Sequence, residues 1–355
     1  MMSREKENKK KYVLFKIVQI LKGYSDREHP MLQKELVEKL HELDYTTDRS
    51  TVRRALIDLT SDPESRVHSY ANETHEEIDS EREYYFSGIY YDQEFTEAEL
   101  RWLIDGILYS RNVPHAERDL IISKLCELGN NRFQKYMNMK KIRRLAEEEP
   151  MNDQLFVNIE KIGHAIDEGK KITTVYNYMG PDFELHPVYG NPNYHQLLNP
   201  YAMVCRNGFY FLICNKDNHN DMTNYRIDRM TNVTITDLAI KSPRELDGFE
   251  AGWNLQEYME QNINMAFGKP ELITFKATTR GIPYVIDAFG KNVEIKEMDT
   301  GEYHCTVRIP FYDMERWALE NWKEITVLSP KELVNSIQSA AQEIMQQYQT
   351  ILSVQ

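Results

Sequence analysis

Cysteine is scarce in this chain. There are four in 355 residues, at 126, 205, 214 and 305, and no two of them form a CxxC pair. Neither a zinc ribbon nor a thioredoxin-type redox motif can be built on that spacing, and a reduced, cytoplasmic protein is the simplest expectation. Long apolar runs are missing as well. No stretch approaches the ~20 apolar residues of a membrane helix, so no membrane partner is expected. The opening MMSREKENKKKY lacks the apolar core of a secretory signal. Catalytic signatures are also absent: there is no P-loop, no GxGxxG after a strand, no HExxH and no GxSxG. His186, His195 and His219 fall in one region with Asp217, Asp221 and Asp228, but at no spacing that builds a hydrolytic site. We therefore expect no catalytic residue, no metal and no cofactor, and hence not an enzyme.

Positive charge is in short supply overall. Lys and Arg number 43 against 56 Asp and Glu, for a net charge of −13, which argues against a nucleic-acid binder that uses its whole surface. The deficit is uneven. Residues 1–60 carry a balance of +3 and the remainder −16. A small basic module on an acidic body suits a protein that touches DNA with one end.

That basic end has helical periodicity. Apolar residues at 13, 14, 17, 18 and 21 mark one helix ended by Gly23, and Leu32, Leu36, Val37, Leu40 and Leu43 mark a second after Pro30. A third is expected from about Arg49 to Leu59, with Val52, Ala55, Leu56 and Leu59 as its core face. Three short helices with a tight second connection read as a helix-turn-helix, whose third helix enters the major groove. Thr47, Arg49, Ser50, Thr51, Arg53 and Arg54 form the expected DNA-binding face, with guanidiniums for phosphates or guanine edges and hydroxyls for phosphates. A β-hairpin is expected over 66–91, its strands at Val67–Tyr70 and Tyr84–Ser87, around the acidic loop Asn72–Glu83. The capping box Thr96-Glu97-Ala98-Glu99 opens a helical section. A second helix there is marked by Leu120, Ile121, Leu125 and Leu128, a third by residues 132–146, and Glu147–Pro150 close the section.

The most ordered signal lies further on. Asn207-Gly208 is a strong mark of a two-residue hairpin turn, flanked by β-formers on both sides. With those two residues in the turn, Tyr201 pairs near Cys214, Met203 near Leu212 and Cys205 near Tyr210. One face then carries Tyr201, Met203, Cys205, Tyr210, Leu212 and Cys214, the other Ala202, Val204, Arg206, Phe209, Phe211 and Ile213. Both are apolar, so the hairpin is covered on both sides or curls into a small barrel. Tyr225, Arg226, Asp228 and Arg229 follow on the next short strand.

Phe209-Tyr210-Phe211 and Tyr225-Arg226-Ile227-Asp228-Arg229-Met230 resemble the signature of the WYL domain, an Sm/SH3-like β-barrel found mainly in bacterial transcription regulators. The naming triplet keeps only its central Tyr, and Thr223 stands where many members have Arg. DRSTVRRALIDL resembles the recognition helix that precedes such domains, and WALENWKEITVLSPKELVNSIQ resembles their C-terminal extension. The last ~90 residues read strand–helix–strand–strand–helix–strand, a ferredoxin-like order. The resemblance implies a multidomain α+β chain. Its parts would be a winged helix-turn-helix DNA-binding domain (1–92), a helical linker (93–150), a WYL ligand-sensing domain (151–245) and a C-terminal extension (246–355).

The function implied is a transcription regulator, expected as a repressor, whose WYL domain senses an anionic ligand such as a nucleotide or single-stranded nucleic acid. The partners implied are a double-stranded DNA operator and a second copy in a homodimer, since one short helix reads too few bases. Tyr201, Arg206, Tyr210, Arg226, Asp228 and Arg229 are the candidate ligand residues. Arg226 and Arg229 converge only if the strand bends near Ile227, because 226 and 228 share one face of a regular strand and 229 the other. An equally concrete reading makes Arg226–Asp228–Arg229 a structural ion pair. The alternative function is an RNA or single-stranded nucleic-acid binding accessory protein that uses the barrel without operator-specific regulation.

Overall fold

A computed structural model describes residues 12–45, 47–70, 88–110, 113–137, 152–265, 268–298 and 301–354. The chain is α+β and divides into two compact units, Met1–Glu149 and Pro150–Gln355.

The first unit opens with α1 (Val13–Tyr24), α2 (Gln33–Glu42) and α3 (Arg49–Ser61), followed by strands β1 (Val67–Ser69) and β2 (Ile89–Tyr91). Each helix buries the stripe its periodicity marked: Ile17 and Leu21, Leu36 and Leu40, then Val52, Ala55, Leu56 and Leu59. Val67, Ile89 and Tyr91 close this core. Among the described residues the return strand is Ile89–Tyr91, and the expected strand Tyr84–Ser87 and loop Asn72–Glu83 lie outside the described residues. The physical reason is burial: Ile89 seals the core and bridges to Met31, and glycine at 88 leaves room for the Tyr70 ring. Next come α4 (Glu97–Leu108), α5 (His115–Leu128) and α6 (Asn131–Tyr136), packed around Leu100, Ile104, Ile122 and Phe133. The capping box at Thr96 forms as expected, with Glu99 bonding back to the Thr96 amide. On α5 Ile122 is fully buried and Leu125 and Leu128 pack against the same core, whereas Leu120 is exposed. The remainder of the third expected helix, beyond residue 137, and Glu147–Pro150 lie outside the described residues.

The second unit begins with α7 (Leu155–Asp167) and strands β3 (Lys170–Met179), β4 (Leu185–Pro187), β5 (Gln196–Arg206), β6 (Phe209–Lys216), β7 (Thr223–Arg226) and β8 (Met230–Ala239). The strands form one antiparallel sheet in the order β4-β3-β5-β6-β7, with β8 on the other side of β3. Among the described residues β7 and β8 are joined by a 3-10 turn, Ile227–Arg229, and not by ladder hydrogen bonds. Among the described residues the sheet is therefore curled into a half-barrel, where an Sm/SH3-like barrel was expected.

The central hairpin has Asn207 and Gly208 at φ of 52° and 78°, the two positive values its turn requires. Cys205 pairs with Tyr210 and Met203 with Leu212, as the turn dictates, but Pro200 pairs with Cys214 and a bulge falls between Pro200 and Ala202. Proline has no N–H for the ladder, so the register slips there. Tyr201 consequently changes face. It joins Ala202, Val204, Phe211 and Ile213 under a connector carrying Leu246, Trp253 and Tyr258. Met203, Tyr210, Leu212 and Cys214 face α7 across the other core. Both faces of the hairpin are covered.

After α8 (Leu255–Gln261) come β9 (Pro270–Thr278), α9 (Ile282–Phe289), β10 (Glu294–Glu297), β11 (Glu302–Pro310), α10 (Phe311–Glu320), β12 (Ile325–Ser329) and α11 (Lys331–Val354). The four strands pair antiparallel in the order β10-β11-β9-β12. Phe275, Phe289 and Trp317 stack edge-on in the core between this sheet and its helices.

Candidate functional site

The expected ligand residues separate into two groups. Tyr201 is buried under the connector, and its hydroxyl donates to the Lys241 carbonyl at 3.2 Å. Burial is also what pushes its phenol pKa upward. Arg206 donates through Nε to the Ile263 carbonyl at 2.9 Å, so it ties the hairpin to the connector. Tyr210 packs into the opposite core. The pairing of Tyr201 with Tyr210 on one face is therefore corrected: the bulge at Pro200 puts them on opposite sides of the sheet. Among the described residues no hydrogen bond or ion pair joins any of these three to Arg226.

Arg226, Asp228 and Arg229 form the second group. The strand ends at Arg226 and the chain turns through Ile227–Arg229, which is the bend that convergence of the two arginines requires. Arg226 holds Asp228 in a two-pronged bond, Nε to Oδ1 at 3.0 Å and Nη2 to Oδ2 at 2.6 Å, with side chains only 15% and 3% exposed. Its guanidinium lies 3.5 Å from the centre of the Phe209 ring. Fork geometry and an aromatic face fix the group far more firmly than a surface arginine. Tyr176 completes the site. Its hydroxyl accepts from the Arg226 amide at 3.2 Å, and its ring stacks on Tyr225 with centroids 4.2 Å apart. Burial raises the Tyr176 pKa, and the hydrogen bond from the Arg226 amide opposes that rise.

Charge is balanced between Arg226 and Asp228 but not at Arg229. The Arg229 Nε is buried and has no hydrogen-bond partner among the described residues. A buried donor left unpaired costs about 1–3 kcal/mol. The backbone beneath is held rigidly: Asn177 bonds the Arg229 carbonyl, and Asn152 bonds those of Asp228 and Met230. Sequence reasoning missed Tyr176, Phe209 and these asparagines. Phe209 had a signal, since Phe211 pairs with Arg226 and a diagonal neighbour two residues away is within reach of a long side chain. Tyr176 had none, because its strand partner is not encoded locally. Among the described residues no group of three or more His, Cys, Asp or Glu side chains is placed to hold a metal ion.

The expected DNA-binding residues sit at the start of α3. Asp48 caps the helix, accepting from the Thr51 amide at 2.6 Å and the Ser50 hydroxyl at 2.8 Å. These bonds, that from the Thr51 amide first, bring its pKa down to about 2. The Ser50 hydroxyl hydrogen is thus turned toward the cap and leaves only lone pairs for an outside donor. Gln33 of α2 donates to the Arg49 carbonyl at 2.9 Å and His41 meets the Thr47 carbonyl at 2.9 Å, fixing the α2–α3 turn. Thr47 Oγ1 is buried. Arg49, Ser50, Thr51 and Arg54 are exposed and Arg53 is half-buried on the same side of the helix, away from the core face.

A curled antiparallel sheet capped by one helix, with an arginine–aspartate turn leading into its last strand, defines the class of domain. Residues 157–235 match the WYL domain. The chain thus carries a WYL domain. No curated protein matches it. Two solved structures are similar to it. One is described as a CRISPR Cas-related protein, 14% identical, with a TM-score of 0.38, covering 90% of this chain and 93% of its own. The other is the proteasome accessory factor B/C of Arthrobacter aurescens, 12% identical, with a TM-score of 0.29, covering 92% of this chain and 47% of its own.

Proposed function

We propose that this protein is a DNA-binding transcription regulator whose WYL domain takes an anionic ligand. In this reading α1–α3 with β1–β2 form a winged helix-turn-helix, and α3 reads an operator through Arg49, Arg53 and Arg54. The C-terminal sheet is a ferredoxin-like extension, and the protein works as a homodimer without catalysis. The observation that carries the ligand half is Arg229. A buried guanidinium N–H without an acceptor, beside a neutral Arg226–Asp228 pair, is completed by an anionic oxygen. Phosphate or carboxylate would supply it. The Arg226–Asp228 pair would then stand fixed beside that oxygen, steadied by the Tyr176 hydroxyl that accepts from the Arg226 amide.

The test is selection of bound fragments from genomic DNA by the full chain, with and without nucleotides and short oligonucleotides. Enrichment of one sequence that shifts with added ligand is the expected result. Uniform recovery of all fragments under every condition would overturn it.

One observation favours a second reading, single-stranded nucleic-acid binding without an operator. Phe183 is 86% exposed at a φ of 62°, and Tyr178, Tyr189 and Tyr194 stand exposed on the same β3–β5 region, Tyr178 against His186 and Tyr189 against Tyr194. Exposed rings are stacking platforms for bases. Under this reading Phe183→Ala weakens oligonucleotide binding while duplex fragments show no sequence preference.

A further inference from the structure

We infer that the cavity bounded by the 246–262 connector, the loop between β6 and β7 and one end of the β9–β11 pair is a binding site for a short apolar peptide with both termini free. The cavity measures about 600 Å³, within the range of roughly 300–1,000 Å³ that takes small organic ligands. None of the expected ligand residues lines it, nor does Tyr176, so this site goes beyond the proposed reading. Its apolar wall is Phe249 and the buried Tyr258, ring centroids 6.2 Å apart, with Met222 beside them. That wall is fixed. The Tyr258 hydroxyl donates to Asn224 Oδ1 at 3.0 Å. Asn215 holds the β6–β7 loop through the carbonyls of His219 and Asp221, at 2.9 and 2.8 Å. The Asp247 amide donates to the Asn220 carbonyl at 2.8 Å, which lays the connector against that loop. Groups held this way are set before a ligand arrives, so little ordering entropy is lost on binding.

Charge identifies the occupant, because the lining carries both signs in separate places. The bond from Asp247 to Asn220 sets Asp247 next to Asp221, and Glu257 of α8 adds a third carboxylate. The cations are Lys269 and Arg308. Arg308 Nη1 donates to the Pro270 carbonyl at 3.3 Å, one residue along the chain from Lys269. Among the described residues no ion pair joins the carboxylates to the two cations. A nucleotide or other polyanion would bring its charges against three carboxylates. A polyamine would bring its charges against Lys269 and Arg308. One positive group and one negative group at the two ends of an apolar body satisfy both sets, through charge-assisted bonds about twice as strong as neutral ones. A peptide of two or three apolar residues is such a body. Its ammonium meets Asp221 and Asp247, its carboxylate meets Lys269 and Arg308, and its side chains lie on Phe249 and Tyr258.

The test is calorimetric titration of the full chain with dipeptides and tripeptides of leucine, valine, phenylalanine and tyrosine. The N-acetyl and C-terminal amide forms of the tightest binder are titrated beside it. A free peptide is expected to bind, and each blocked form to bind about tenfold more weakly, having lost one charge-assisted contact. Arg308→Gln and Lys269→Gln should each weaken the free peptide and leave its C-terminal amide unaffected. Asp247→Asn should weaken the free peptide and leave its N-acetyl form unaffected. All three positions are exposed, so melting temperatures should match wild type. No binding by any peptide at millimolar concentration overturns the inference. Equal binding of the blocked forms overturns it, as does a response that all three variants leave unmoved. Displacement of the peptide by inorganic phosphate alone would make the cavity a plain anion site and overturns it too. The anion reading at Arg229 fails separately. Arg229→Met should abolish the response to phosphate and spare the peptide, and Arg308→Gln should do the reverse.

Discussion

Arginine is used in two ways in this chain, and the contrast separates a surface that adapts from a site that waits. On α3, Arg49 and Arg54 stand out from the helix on long side chains, with Arg53 beside them. On the β7–β8 turn, Arg226 is clamped by a nearly inaccessible carboxylate and laid on a ring, and Arg229 Nε is sealed from water. The first arrangement suits a long polyanion, to which each side chain fits itself in turn. The second suits one small anionic group, because its donors are oriented before anything binds and little entropy is lost on binding. Substitution should therefore reveal the turn in stability and α3 in affinity.

The largest expected effect is at Asp228. Asp228→Ala leaves the largely buried Arg226 guanidinium without its counter-charge, which should cost about 3–5 kcal/mol. For a unit of this size the melting temperature should fall by roughly 6–20 °C. Combining it with Arg226→Met should restore most of the loss, since removing both members of a buried pair is often neutral. Differential scanning calorimetry of the two variants decides this. A melting temperature unmoved by Asp228→Ala would mean the pair is not structural, and the contrast with α3 would collapse.

Next in size are Arg53→Ala and Arg54→Ala. Each should weaken operator binding by about 1–3 kcal/mol if it makes a two-pronged base contact, with the melting temperature unchanged. A gel-shift titration at several salt concentrations sharpens the assignment. A residue that touches only phosphate lowers affinity evenly across sequences and flattens the salt dependence. If both variants bind as wild type does, α3 is not the reading helix.

A smaller and more diagnostic effect is expected at Arg229. Arg229→Met removes the unpartnered donor and keeps the apolar stem, so stability should hold or rise by about 1 kcal/mol. Thermal stabilisation of the wild type by nucleotide, oligonucleotide or inorganic phosphate should vanish in the variant. Equal stabilisation of both proteins would place the anion elsewhere.

The two arginine sites were not equally legible in the sequence. The core stripe of α3 was plain because Val52, Ala55, Leu56 and Leu59 obey one period on a helix whose other side is polar. On α5 the apolar residues Leu120, Ile121, Ile122, Leu125 and Leu128 surround much of the helix, so period alone could not single out Ile122 as the buried one. The central hairpin was legible up to Ala202, since Asn207-Gly208 sets both turn and register. It failed at Tyr201, although Pro200 inside the strand was itself the warning of a bulge. At the candidate ligand site, neighbours in sequence were readable and neighbours in space were not. Arg226, Asp228 and Arg229 lie within one turn, whereas Tyr176 arrives from a strand some fifty residues earlier.

The smallest effect concerns Asp48, where α3 has its own carboxylate. Its pKa is held at about 2, against an ordinary 3.8, chiefly by the Thr51 amide and then by the Ser50 hydroxyl. A carboxyl whose pKa is depressed on folding stabilises the folded state above 3.8, and that contribution fades as the pH falls from 3.8 toward 2. Asp48→Asn retains an acceptor for the Thr51 amide, and asparagine caps helices about as well as aspartate. The variant should therefore match wild type at neutral pH and lose the acid-side dependence that Asp48 adds between pH 3.8 and 2. Urea midpoints taken through that window provide the measurement. The same substitution removes a negative charge from the end of α3 that would meet phosphates, so duplex affinity should rise modestly at low salt and converge with wild type at high salt. No such gain is expected from neutralising Asp228, whose charge is already matched by Arg226. An affinity gain at Asp48 with none at Asp228 would confirm that the two arginine sites answer to different partners, and an equal response would merge them.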